Sequence, residues 1–168
     1  MRRRPRVPLR RLGRLVGMVR LIRHVSMVGL LLLFARDASA DCTVSSSGVA
    51  FGSYNIFDPS PLDSTGTITV DCTGTYNSAV IVKISAGASS SFANRKLMSG
   101  GHELRYNLYR EASHTTIWGD GSSSTDFAAT TPSSGTPFSL TVFGRIPDRQ
   151  TTAFVGSYSD SPVVTVEF

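Results

Sequence analysis

The sequence predicts an all-β fold, an antiparallel β-sandwich, for the part of the chain that follows residue 40. Three observations carry this expectation. Short runs alternate apolar and polar residues with a period of two, no stretch sustains a helical period, and Gly, Ser, Thr, Asn, Asp and Pro punctuate the runs at intervals of roughly ten residues. The final run shows the alternation most clearly: Val164, Val166 and Phe168 fall on one face, Val163, Thr165 and Glu167 on the other. β-Branched residues dominate it, and Pro162 stands at its start, where a missing N–H is tolerated. No turn or polar tail follows Phe168, so a strand this apolar is expected to pair inside a sheet built by the rest of the chain.

The first 40 residues read as a leader. They hold ten of the seventeen Lys and Arg and one of the twelve acids, Asp37, which leaves Asp41–Phe168 with seven basic and eleven acidic residues, a net charge of −4. The basic excess therefore argues for no nucleic-acid partner. An Arg-rich region to Arg23 precedes an apolar core from Val25 to Phe34 and then Ala38-Ser39-Ala40, small residues at the positions a signal peptidase reads. The expected cleavage falls between Ala40 and Asp41. The apolar core is about ten residues, against the roughly twenty that span a bilayer. Forty residues is long for such a leader, and Met18 offers a later start. The Arg10-Arg11 pair lies too far upstream of the apolar core for a twin-arginine signal, and Asp41 argues against lipidation of Cys42. The chain divides on this reading into a signal peptide, 1–40, and one domain, 41–168, with no membrane span.

Two cysteines in an exported domain, Cys42 and Cys72, read as a disulfide worth about 3–4 kcal/mol. Along the domain, Thr43-Val44 and Val49-Ala50-Phe51 make a first, broken strand, and Asn55–Ser64, with its two X-Pro pairs, a loop. In the run Thr67–Cys72 the inward residues are Ile68, Val70 and Cys72; in the next they are Val80, Val82 and Ile84. Arg95–Met98 is a short strand. Leu104, Tyr106 and Leu108 alternate with Arg105, Asn107 and Tyr109, and Ile117–Gly121 leads into a Ser-rich loop. Phe138, Leu140 and Val142 point inward ahead of Gly144-Arg145-Ile146-Pro147. Roughly seven or eight strands of this kind make a sandwich with one buried face per strand.

The order and spacing of several pieces resemble one family. They are Cys42-Thr43-Val44 with Phe51-Gly52, Gly66–Cys72, Leu104–Arg110, Val142–Pro147, and Gly156-x-Tyr158-x-Asp160 followed by Val163–Phe168. Over Cys42–Phe168 the chain resembles the spore coat protein U family, which includes pilin subunits of archaic chaperone–usher pili. The resemblance implies an immunoglobulin-like sandwich that lacks its last strand, with a disulfide joining the first two strands. It implies a periplasmic chaperone, an outer-membrane usher and neighbouring subunits as partners, and a groove whose walls include Val164, Val166 and Phe168. It implies export through the periplasm of a Gram-negative bacterium to the cell surface. Only Asp41 would separate the cleavage site from Cys42, so such a subunit could accept a strand but has none to give, which suits a terminal or tip position. A self-contained coat protein and a secreted binding module are the other readings.

Catalytic patterns are weak. Gly119–Ser124 lacks nucleophile-elbow spacing, and His114, which with Asp120 or Asp126 could orient a serine, reads as a solvated loop histidine. Asp58 and Asp63 read as turn residues, and Gly100-Gly101 lacks the helix of a phosphate cradle. No cofactor, metal or enzymatic activity is expected. Trp118, Tyr109 and Phe143 could form an exposed aromatic patch, although packing is the commoner role of aromatic residues at strand ends.

Overall fold

The computed structural model describes residues 40–74 and 79–168. The leader up to Ser39, Ala38 included, lies outside the described residues, and so does the turn at 75–78. The rest forms β1 (Asp41–Ser46), β2 (Leu62–Thr73), β3 (Val80–Ile84), β4 (Arg95–Ser99), β5 (His102–Tyr109), β6 (Ala128–Thr130), β7 (Phe138–Ile146) and β8 (Val164–Glu167). A 3-10 turn, Phe92–Asn94, precedes β4. Among the described residues no helix is long and apolar enough to cross a membrane.

Two sheets face each other. One has the order β1-β2-β7-β5-β4, the other β6-β3-β8, and all of these strand pairings are antiparallel. The alternation read from the sequence places the core between them. Ile68, Val70 and Cys72 of β2, Val80, Val82 and Ile84 of β3, Leu104, Tyr106 and Leu108 of β5, and Val142 of β7 are all buried. Trp118 joins them at 1% exposure, its indole N–H donating to the Val82 carbonyl at 2.9 Å. It packs in the long connection between β5 and β6 and so is no part of a surface patch; Tyr109 and Phe143 are half-buried.

Several boundaries differ from the sequence reading. β2 begins at Leu62, inside the expected loop, because Leu62–Gly66 pair with Ile146–Val142 of β7. β1 runs on through Ser45 and Ser46, whereas Val49–Phe51 join no strand. The three-residue β6, paired to β3, falls in the stretch read as a loop. Phe168 lies past the end of β8 and is 50% exposed.

Cys42 and Cys72 sit directly opposite each other on β1 and β2 and are bonded. Arg95, read as the first residue of an ordinary strand, is fully buried and ties the sheets together. Its guanidinium donates to the carbonyls of Ile84, Ser85 and Trp118 at 3.2, 2.9 and 2.7 Å, and to the Asn107 side chain at 2.8 Å. Burial lowers its pKa, opposed by the nearby Tyr106 and Asp160, and the carbonyl dipoles with the Phe92 ring at 5.3 Å also favour its charge.

Candidate functional site

β8 holds an outer position in its sheet, and among the described residues no strand pairs with its far edge. The register shows which groups that edge presents. Ser85 N donates to the Val163 carbonyl at 2.9 Å, and Lys83 lies opposite Thr165 and Ile81 opposite Glu167. In an antiparallel ladder, backbone groups point alternately to the two sides. The odd-numbered residues therefore bond to β3, and the N–H and C=O of Val164 and Val166 turn to the outer edge. Their side chains pack against the core. On the other face of β8, Glu167 pairs with Lys83 at 2.6 Å.

The wall opposite β8 is the segment Gly48–Ile56. It lies close to the first sheet because two glycines leave room for it. A Cβ on Gly66 would stand 2.1 Å from the Gly48 carbonyl oxygen, and one on Gly144 would stand 2.7 Å from the Phe51 ring and from Val49. Ser64 Oγ donates to the Ala50 carbonyl at 2.6 Å, and Tyr54 Oη donates to Pro147 O at 2.8 Å and accepts from Gln150 N at 2.9 Å. Phe51 meets the Tyr106 ring edge-on, 6.0 Å between centroids.

Between these walls the interior is open. A cleft of about 320 Å³ is lined by Val49, Phe51, Ile68, Leu108, Val142 and Val164. A second, of about 730 Å³, runs past Tyr54, Leu97, Leu104, Ile146 and Phe154. The two share Val49, Phe51, Leu97 and Asp160. Ile68, Leu108 and Val142, nearly inaccessible to water, form the floor. An apolar side chain inserted there would gain about 1.5–3 kcal/mol. The arrangement, a strand edge beside a trough with an apolar floor and polar residues such as Thr67, Asp160 and Ser161 along its sides, is that of a site for an extended peptide whose alternate side chains point inward.

Of the residues named from the sequence, Val164 lines the first cleft, Val166 packs against the core but lines neither cleft, and Phe168 is exposed and lines neither. Asp41 opens β1, paired with Thr73. The opposite wall, and the place of Asp160 in both clefts, were not read from the sequence. The isolated β signal of Val49–Phe51, with no partner strand to receive it, was the available hint.

The other candidates do not converge. Asp126 pairs with Arg110, Asp120 accepts from Ser122, and Asp58 accepts from Ser60 N. His114 is not the solvated loop residue expected: its side chain is 6% exposed, with Nε2 3.8 Å from Asp63 Oδ1. The carboxylate of Asp63 is gripped by Arg145 at 2.7 Å, which holds its pKa down. Among the described residues, no three His, Cys, Asp or Glu gather in a way that could hold a metal.

No curated protein sequence matches the chain. Among solved structures it is similar to a chain of the chaperone–tip adhesion subunit pre-assembly complex, CsuC–CsuE, from the archaic chaperone–usher Csu pili of Acinetobacter baumannii. The TM-score is 0.54 at 21% identity, over 77% of this chain and 40% of that one, so this chain spans less than half the length of the chain it matches. At that identity the likeness concerns the fold. Residues 31–165 match the Spore Coat Protein U domain, and the chain belongs to that family.

Proposed function

We propose that this protein is a structural and adhesive cell-surface protein, a pilus subunit of the chaperone–usher type that accepts a strand from its partners. The open edge of β8 beside a trough floored by Ile68, Leu108 and Val142 carries this reading. Such an edge is an aggregation hazard unless another chain covers it. A periplasmic chaperone would lend a strand first, and a neighbouring subunit would replace it during assembly at the outer-membrane usher. The family and the similarity to a chain from a chaperone–subunit complex support the same role. The role is structural rather than catalytic and needs no cofactor. The Cys42–Cys72 bond suits export into an oxidising compartment.

A terminal or tip position follows if cleavage falls after Ala40. β1 begins at Asp41 and is taken into the protein's own sheet, so a donor strand would have to lie upstream of Asp41.

Production of the exported chain with and without its chaperone tests both points. A chaperone-dependent soluble yield, a one-to-one complex and an N-terminus at Asp41 are expected. A yield in the cell that does not depend on the chaperone, with no one-to-one complex, would point instead to a self-contained coat protein. An N-terminus well upstream of Asp41 would remove the terminal position.

A further inference from the structure

Between β4 and β8 the chain crosses from one sheet to the other, and it is held at three points. Ser159 exchanges two backbone bonds with Met98 of β4, at 2.8 and 3.0 Å. Val163 N donates to Ser85 Oγ at 2.8 Å, and the Ser85 carbonyl is itself held by Arg95. Between them lies Asp160. Its Oδ1 accepts from Ala88 N and Ser161 N, both at 2.8 Å, and its Oδ2 accepts from Tyr106 Oη at 2.6 Å. The carboxylate lies so close to Gly87 that a Cβ there would stand 2.1 Å from Oδ2. Burial first, then this hydrogen bond, raises the Tyr106 pKa, so Tyr106 stays a donor.

This junction bears on the trough because Asp160 lines both clefts and Tyr106 lines the first. β8 is only four residues long and has one partner strand. A short strand with one open edge frays readily. Its line is therefore set by what fixes the chain just ahead of it.

We infer that Asp160 is the positioning residue of the strand-accepting trough. By joining Ala88 at the exit of β3 to Tyr106 of β5, it holds the entry to β8 in place while the outer edge is unfilled. An incoming strand then meets a preorganised edge and is spared the cost of ordering it. This inference rests on the proposed strand-accepting role.

The test uses the exported chain, refolded with its disulfide intact, and a fluorescent synthetic peptide of alternating Thr and Val as the incoming strand. Asp160→Ala is expected to slow capture of the peptide by about tenfold. Asp160→Asn, which keeps an oxygen for Ala88 N and Ser161 N, should recover part of that rate. Asp126→Ala serves as the comparator: it loses the Arg110 pair and the Phe127 N contact away from both clefts. It should capture the peptide at the wild-type rate despite its lower melting temperature. If Asp160→Ala fails to fold, Tyr106→Phe removes one bond of the junction and should slow capture in the same direction. Equal slowing by the Asp160 and Asp126 variants would overturn the positioning role and leave only general stability. Wild-type protein that captures no peptide would overturn the strand-accepting role itself.

Discussion

Loss of the Cys42–Cys72 disulfide is expected to lower stability by about 3–4 kcal/mol, from the entropy of the loop it closes. The bond spans 30 positions in sequence. That share is large against the roughly 5–15 kcal/mol that holds a typical domain folded. The structure adds a reason for the effect to be local as well as global. β1 is an edge strand, pairs among the described residues with β2 alone, and is mostly exposed. The closed loop also contains Gly48–Ile56, one wall of the trough. Without the bond, β1 has little apolar burial to keep it on the sheet, and the wall that follows it should loosen. The Cys42→Ala/Cys72→Ala protein, unfolded in urea, should show its midpoint lowered by at least about 1 M, given a slope of roughly 1–3 kcal/mol per M. An unchanged midpoint would show that β1 is held by something other than the bond.

Replacement of Arg95 by Met is expected to cost at least about 3 kcal/mol, although Met is apolar and of similar length. The reason is what the guanidinium leaves behind. The buried carbonyls of Ile84 and Trp118 and the half-buried carbonyl of Ser85 accept from it, and Asn107 Oδ1 would keep only its bond from Leu108 N. Each buried acceptor left without a donor costs about 1–3 kcal/mol. Arg95→Lys should recover little, because one ammonium cannot reproduce a planar fork that reaches groups on several elements. The Ser85 carbonyl is among the released groups, and Ser85 also anchors Val163, so β8 should loosen too. Thermal unfolding of Arg95→Met and Arg95→Lys decides the matter: both should melt well below wild type. A wild-type melting temperature for Arg95→Met would mean that the inter-sheet tie carries no net stability.

The strands with several alternating residues were legible from sequence. In β2, β3, β5 and β8 the side chains that face the core recur at every second position over four residues or more, and burial follows that period. The elements that escaped depend on partners distant in the chain. Leu62–Ser64 follow two prolines and look like a loop, yet they extend β2 because Gly144–Ile146 of β7 lie opposite. β6 is three residues long, too short to show a period, and exists only as a partner of β3. Arg95 was read only as the start of a short strand, and Asn107 stood in the polar register of its strand; both are buried because the fold brings carbonyls and the amide around one guanidinium. For the trough, one wall was visible in the alternation of Val164 and Val166. The other wall was visible only as a β signal at Val49–Phe51 that found no partner strand. Gly66 and Gly144 stood in the family-like pieces with no local role; their lack of a side chain matters only because Val49 and Phe51 pack over them.

The central claim is that the outer edge of β8 accepts a strand. Amide hydrogen exchange at Val164 and Val166 tests it most directly, because their N–H groups face that edge. The exported chain is compared with a version in which a short turn and a strand of alternating Val and Thr follow Phe168. Exchange at Val164 and Val166 should slow by at least about tenfold in the extended version, the equivalent of about 1.4 kcal/mol, with the melting temperature rising alongside. Unchanged exchange at these two amides, with the added strand free in solution, would contradict the account.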